Sequence, residues 1–322
     1  MNNTWYDDTI INRFVQEVSP KNNLKCQVLI VGGGLAGLCL LYNLKKNNVD
    51  ALLIEENRIG SGASGRNGGF CLSGWAQDYD VLLKYLSKEE VVALEQIAAS
   101  GVKWMRQKCL SNGYEHTNIK SGVLKCFLSN NIEKVHTEVS TQNQLFGQNE
   151  EFIDKESLSE YVCSEKYTCG VLRKDSFQFH PLNFMNALAK DCIINGASIF
   201  ENCKFVDYNK NGGKIASNIS HKNKILNVHC EKIVFATGGY GGKEIKDLKN
   251  YWLPIKTFIG VTKPMGSELQ SVLKKPLGFS DNRRAGNYYR ILPGNRLSWG
   301  RGISAVGNFT SSSLKKAISR EI

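Results

Sequence analysis

The sequence predicts an α/β protein: a Rossmann-like dinucleotide-binding domain on a parallel sheet, interrupted by an inserted α+β domain. Three observations predict it. Val28–Val31 is a short β-branched apolar run, followed by Gly32, Gly34 and Gly37 at G-x-G-x-x-G spacing and by the apolar, helix-length stretch Leu38–Leu44. Residues 49–55 make a second such run and end in Glu55, 18 positions beyond Gly37. Far downstream, Lys232–Phe235 reads as a buried strand running into Ala236-Thr-Gly-Gly239.

Each element has its own justification. Residues 1–25 precede the first strand, and Trp5, Tyr6, Ile10, Ile11 and Phe14 suit an amphipathic segment packed on the surface of the body. The glycine turn allows a tight reversal, close approach of backbone to a pyrophosphate, and close helix–strand packing. With Leu35 and Ala36 it opens a helix whose N-terminus offers N–H groups to an anion. Glu55, with Glu56 beside it, stands where a strand-tip carboxylate accepts ribose hydroxyls.

Residues 59–70, Ile-Gly-Ser-Gly-Ala-Ser-Gly-Arg-Asn-Gly-Gly-Phe, decide which dinucleotide is expected. A nicotinamide enzyme has no evident need of a second glycine-rich segment after the ribose acid. An extended FAD does, because backbone must pass close to its phosphates, ribityl chain and ring. Gly32–Gly37, Glu55 and Gly62-Ala-Ser-Gly-Arg-Asn-Gly-Gly69 resemble the FAD-binding core of the D-amino-acid oxidase/glycine oxidase superfamily. The second block is most similar to the γ-glutamylputrescine oxidoreductase-like branch.

That resemblance implies FAD as cofactor, held by Gly32, Gly34, Leu35, Ala36, Gly37, Glu55, Glu56, Ser61, Gly62, Ala63, Ser64, Arg66, Asn67, Gly68 and Gly69. Val206 is expected beside the adenine, and Ala236, Thr237 and Gly238 beside the phosphates. Some flavoproteins attach FAD through Cys or His, which singles out Cys71. Noncovalent FAD is expected, because Arg66-Asn-Gly-Gly69 occupies the position where histidyl-linked relatives carry their attachment residue.

The rest of the chain follows in order. Residues 79–109 read as two helices divided at Ser87, where Ser87-Lys-Glu-Glu90 forms a capping box. Tyr114–Ile119 and Gly122–Leu128 read as a strand pair opening the inserted domain, followed by a helix over Ile132–Leu145 and a short one over Phe152–Tyr161. Val171–Pro181 is expected to return to the FAD domain, with Pro181 opening a helix. Gly196–Phe200 reads as the third parallel strand, and Lys214–Ser220 with Lys224–Cys230 as a hairpin. Ile255–Thr262 reads as a strand, and residues 291–300 as two more around a Pro-Gly-Asn turn.

The expected domains are thus 1–110 and 171–250 for FAD, 111–170 and 251–310 for substrate, with 311–322 a truncated tail. Full relatives carry further closing elements that this sequence lacks, so an exposed flavin ring and an incomplete pocket are expected.

Composition sets the outer bounds. The chain has 322 residues, 42% hydrophobic and 22% charged, as in ordinary globular proteins. Its net charge of +11 comes from 41 basic against 30 acidic residues, with lysines scattered among asparagines. No nucleic-acid reader motif accompanies them, so no specific nucleic acid is expected. The ten cysteines are dispersed, with no C-x-x-C pair. No secretory leader or membrane span is visible, and a reducing, cytoplasmic location is expected. No metal ligand set is expected.

The implied activity is oxidation of a C–N bond in a small amine or amino-acid derivative by hydride transfer to flavin, with oxygen or another electron acceptor. The candidates beside the substrate are Tyr288, Tyr289, Arg290 and His180; His180 reads first as a structural residue. Two alternatives stay open. One is a non-catalytic flavoprotein fragment or subunit needing a partner; the other is a tRNA-modifying oxidase module.

Overall fold

In the computed structural model the chain divides into two units, Met1–Asn67 with His180–Ile255, and Gly68–Phe179 with Lys256–Ile322. The structure describes residues 4–304 apart from 17, 129, 242–244, 246–250, 252 and 285, and beyond them only 312, 316 and 319. The expected tail 311–322 therefore lies almost wholly outside the described residues.

The first unit is built on a six-stranded sheet in the order Ser198–Phe200, Ala51–Ile54, Leu24–Val31, Lys224–Phe235, Lys214–His221, Cys203–Asn211. The first four strands pair in parallel and the last three antiparallel. Alternation along the strands sends Leu29, Val31, Leu52 and Ile54 to one face, where they meet Phe200, Phe205, Ile219 and Val228. The helices Leu35–Lys46 and Pro181–Ile194 pack on each other and bury Leu38, Leu41, Phe184 and Leu188 completely. Each such side chain contributes roughly 1.5–3 kcal/mol on leaving water.

The hairpin at 214–230 turns through Lys222 and Asn223, both left-handed, which matches the twist of the flanking strands. One difference from the sequence reading lies here. Lys224–Cys230 and Lys232–Phe235 are a single strand, pairing with Lys214–His221 from Lys224 to Cys230 and with Leu24–Val31 from Val228 to Phe235. Its last residues, Ile233 to Phe235, are half-buried rather than buried.

The second unit carries an eight-stranded sheet. Its order is Lys256–Val261, Arg296–Ser304, Tyr288–Leu292, Gly278–Asp281, Lys120–Phe127, Cys169–Gln178, Phe70–Cys71, and Glu150–Ile153 also pairs with Cys169–Gln178. Helix Lys88–Cys109 begins at the capping box read from the sequence: Ser87 Oγ accepts the Glu90 N–H, and Glu90 accepts the Ser87 N–H at 2.8 Å. Helix Ile132–Phe146 also stands where the sequence puts it.

The division between units falls elsewhere than the composition of the segments suggests. The chain enters the second unit at Gly68, because Phe70–Cys71 pairs at once with Cys169–Gln178. Helix Lys88–Cys109 follows it there, Arg106 donating to Ser121 Oγ and the Asp175 carbonyl. Cys169–Gln178 is an interior strand of that sheet, and the return to the first unit comes at His180. Tyr114–Ile119 is no strand: Glu115–Thr117 is a 3-10 turn, held by Thr117 Oγ1 donating to the Tyr114 carbonyl and ended by left-handed Asn118. Phe152–Tyr161 splits into the end of strand Glu150–Ile153 and the one-turn helix Lys155–Leu158, capped by Asp154. No helix among the described residues is long and apolar enough to cross a membrane.

Candidate functional site

The first strand ends in the glycine turn, and the turn is knitted to its neighbours. The Gly32 N–H donates to the Ile54 carbonyl at 2.8 Å, and φ at Gly32 is +114°. A Cβ on Gly37 would strike the Gly32 carbonyl oxygen, so helix and strand can approach this closely only with glycine there. Glu55, just past the second strand, accepts the Gly33 N–H on Oε2 at 2.7 Å and the Asn57 N–H on Oε1 at 2.9 Å. Burial pushes its carboxyl above the usual range, with Glu56 adding to that, although both N–H groups pull the other way.

The second glycine-rich segment folds against the first. Gly60 N–H donates to the Gly33 carbonyl at 3.1 Å, and the Leu35 N–H, in the first turn of helix Leu35–Lys46, donates to Ser64 Oγ at 2.9 Å. Ala63–Gly65 forms a 3-10 turn, and Asn67 Nδ2 ties back to the Ser64 carbonyl at 2.7 Å.

These segments open on one cleft of about 410 Å³ in the first unit. It gathers Gly32, Gly34, Glu55, Glu56, Ser61, Gly62, Ala63, Ser64, Ala236, Thr237 and Gly238 from the residues expected there. Leu35, Ala36 and Gly37, in the first helical turn, and Arg66 and Asn67, after the 3-10 turn, are not among its lining residues. Val206 does not line the cleft. It sits where the register of Cys203–Asn211 shifts, and its neighbours Cys203 and Phe205 line the cleft instead.

Sequence reading missed Gly33, Asn57, Tyr240 and Glu201. Tyr240 covers Gly62, with ring carbon about 3.1 Å from where a Cβ would sit. Glu201 is buried at the end of strand Ser198–Phe200 and accepts the Ile59 N–H at 2.7 Å, fixing the loop below Gly33. A single glutamate at a strand end carries no signal for that role.

His180 caps helix Pro181–Ile194. Its Nδ1 accepts the Asn183 N–H at 3.1 Å, so the ring proton sits on Nε2, 3.1 Å from Thr9 Oγ1. The N-terminal segment packs more specifically than a surface leader. Trp5 and Tyr6 lie against the imidazole, and the Tyr6 hydroxyl donates to the Asn67 carbonyl at 3.0 Å.

In the second unit, strand Tyr288–Leu292 separates residues that adjoin in sequence. Tyr289 faces the core, stacked between Phe279 and Trp299 at 5.5 and 4.4 Å, with its hydroxyl 3.1 Å from that of Tyr167. Burial raises the pKa of both phenols, that of Tyr167 to about 12. Tyr288 and Arg290 point to the opposite face. There the Tyr288 ring meets Phe70 edge-on, and the buried Arg290 guanidinium lies 5.9 Å over Phe70. Gly68 lies against Tyr288. Gly69, at φ +71°, lies so close to Arg290 that a Cβ would strike the guanidinium. Cys71 is buried near Cys109, and burial pushes its thiol up to about 12. Such a thiol stays protonated and unreactive.

Comparison with known proteins matches the chain to a family. A family model described as FAD dependent oxidoreductase, DAO, matches residues 27–321. The probable oxidoreductase OrdL of Haemophilus influenzae is 25% identical over 285 residues, which cover 86% of this chain and 65% of that one. Gamma-glutamylputrescine oxidoreductase of Escherichia coli is 22% identical over 294 residues, 91% of this chain and 68% of that one. The chain thus spans about two thirds of the length of these relatives. Among solved structures, glycine oxidase from Bacillus cereus superposes with a TM-score of 0.66 at 19% identity, over 92% of this chain and 77% of that one.

Proposed function

The chain belongs to the DAO family of FAD dependent oxidoreductases, and from that premise we propose that it oxidises the C–N bond of a small amine or amino-acid derivative. The observation that carries the reading is the convergence of Gly32–Gly34, Glu55 and Ser61–Ser64 on one cleft. Its donor set fits the nucleotide end of FAD. Glu55 supplies a carboxylate for ribose hydroxyls, and the start of helix Leu35–Lys46 supplies N–H groups and a partial positive charge for the pyrophosphate. Gly32, Gly33, Gly34 and Gly62 put no side chain into the space, whose volume lies in the range of about 300–1,000 Å³ usual for small-molecule sites.

FAD, when bound, supplies a hydride acceptor for the carbon that bears the amine. The chain's own part is position and electrostatics. Arg290 is buried and planar, suited to a bidentate grip on a substrate carboxylate, and the rings of Tyr288 and Phe70 exclude water beside it. No acid–base residue is required when a neutral amine gives up hydride. FAD is held without a covalent bond, a reading the inert Cys71 thiol supports. A reducing, cytoplasmic setting belongs to the same reading, supported by ten free cysteines.

An absorbance spectrum of the purified chain tests the cofactor, and oxidation of an amine and amino-acid panel, with oxygen or an artificial acceptor, tests the reaction. Flavin bands and turnover are expected. A colourless preparation that refuses FAD and accepts NAD overturns the reading.

A further inference from the structure

Glu55 and Asn57, on the loop after strand Ala51–Ile54, hang from the bend between strands Ser198–Phe200 and Cys203–Asn211. The Asn202 N–H donates to the Asn57 carbonyl at 2.9 Å, and the next N–H, of Cys203, donates to the Glu55 carbonyl at 2.8 Å. Asn57 in turn gives its own N–H to Glu55 Oε1 at 2.9 Å. Two successive N–H groups can face one loop because Asn202 is left-handed, at φ +53°, a conformation asparagine tolerates better than most residues.

That bend is supported from its far side. His221, the last residue of strand Lys214–His221, pairs in register with Cys203. Its Nδ1 lies 3.2 Å from the Asn202 carbonyl oxygen and 3.4 Å from Cys203 Sγ. A carbonyl only accepts, so Nδ1 carries a proton and donates to it. The Asn202 carbonyl and the Cys203 N–H belong to one peptide group. A continuous chain of hydrogen bonds therefore runs from the imidazole through that peptide to the backbone of Glu55, each bond polarising the next. The ring is 9% exposed, and its Nε2 is buried with no partner among the described residues. A side chain that only filled space would leave no orphaned nitrogen, so what histidine adds at this position is the bond from Nδ1.

We propose that His221 is a positioning residue for the nucleotide: through the Asn202–Cys203 peptide it fixes where the Glu55 carboxylate stands towards the ribose. This rests on the reading of Glu55 as the ribose carboxylate. Cys203 is among the residues lining the cleft and His221 is not, so the influence of the imidazole is transmitted rather than made by contact.

Calorimetric titration of the full chain, stripped of flavin, with ADP tests this, because ADP carries the ribose without the flavin ring. His221→Phe keeps a ring and loses the donor, and should weaken ADP about tenfold, equivalent to roughly 1.4 kcal/mol. His221→Leu, smaller and equally without a donor, takes its place if the phenyl ring disturbs folding. His221→Asn, whose amide nitrogen can stand where Nδ1 stood, should recover most of the loss. In a Glu55→Gln background the donor-less variant should weaken ADP by less than about threefold, since the carboxylate it positions is gone. A merely structural role would weaken ADP equally in both backgrounds, and that outcome overturns the proposal. So does unchanged ADP affinity in the donor-less variant, or a His221→Asn variant that binds no better. A wild-type chain that binds neither ADP nor FAD overturns the flavin reading and this inference with it, whereas wild-type binding that the variants leave intact overturns the role of His221 alone.

Discussion

The hydroxyl of Ser64 accepts the backbone N–H of Leu35 at 2.9 Å. The second glycine-rich segment therefore caps, from outside, the helix that the first one starts. Ser64→Ala removes that acceptor and is expected to lower stability by about 1 kcal/mol, in the range of a lost helix cap. A urea midpoint shifted down at unchanged slope is the signature. No shift would mean that water replaces the hydroxyl without loss.

Glu55 should couple FAD binding to pH. Its folded-state pKa is raised, chiefly by burial, so its contribution to stability of the unliganded chain is present at low pH and lost as pH rises through the raised value. Ribose hydroxyls donate best to the ionised form. The affinity for FAD should accordingly fall as pH drops through a value above the usual carboxylate range. Glu55→Gln should weaken FAD about tenfold, equivalent to roughly 1.4 kcal/mol, and flatten that profile. An unchanged profile in the variant assigns the pH dependence to another group.

His180 should matter to folding and not to chemistry. Its Nδ1 caps the helix Pro181–Ile194. His180→Ala is expected to cost about 1 kcal/mol in stability, and His180→Asn, a good capping residue, should restore most of it. A fall in kcat in His180→Asn at preserved stability would return His180 to the list of reacting groups.

Cys71 should carry no flavin. With its thiol held at about 12 by burial, acid precipitation is expected to release all the yellow colour into the supernatant. Flavin retained in the pellet and lost in Cys71→Ser contradicts this.

Tyr288 and Tyr289, neighbours in sequence, should respond oppositely to the same change. Tyr289→Phe breaks the hydroxyl pair with Tyr167 and should lower stability by about 1 kcal/mol while sparing turnover. Tyr288→Phe should leave the melting temperature nearly unchanged and alter KM or kcat. Equal effects of the two on turnover would undo the assignment of faces.

What the sequence disclosed was local. The turn Gly32–Gly37, the capping box Ser87–Glu90, and the 291–300 hairpin each depend on residues a few positions apart, and each stands where it was read. Features set by distant partners were not legible. Gly68 rather than residue 111 opens the second unit because Phe70–Cys71 finds a strand about a hundred residues later. Glu201 supports the loop at Ile59 across a comparable distance. The split of Tyr288 from Tyr289 was within reach, since side chains alternate along any strand. A shared motif obscured it.

The placement of strand Leu24–Val31 carries a consequence for biosynthesis. One flank pairs with Ala51–Ile54, available almost at once, but the other waits for Lys224–Phe235. On a ribosome making roughly 5–20 residues per second, that apolar edge stays uncovered for on the order of ten seconds or more. Nascent chains of this protein should thus lean on a chaperone during that interval, and aggregate when translation outruns it.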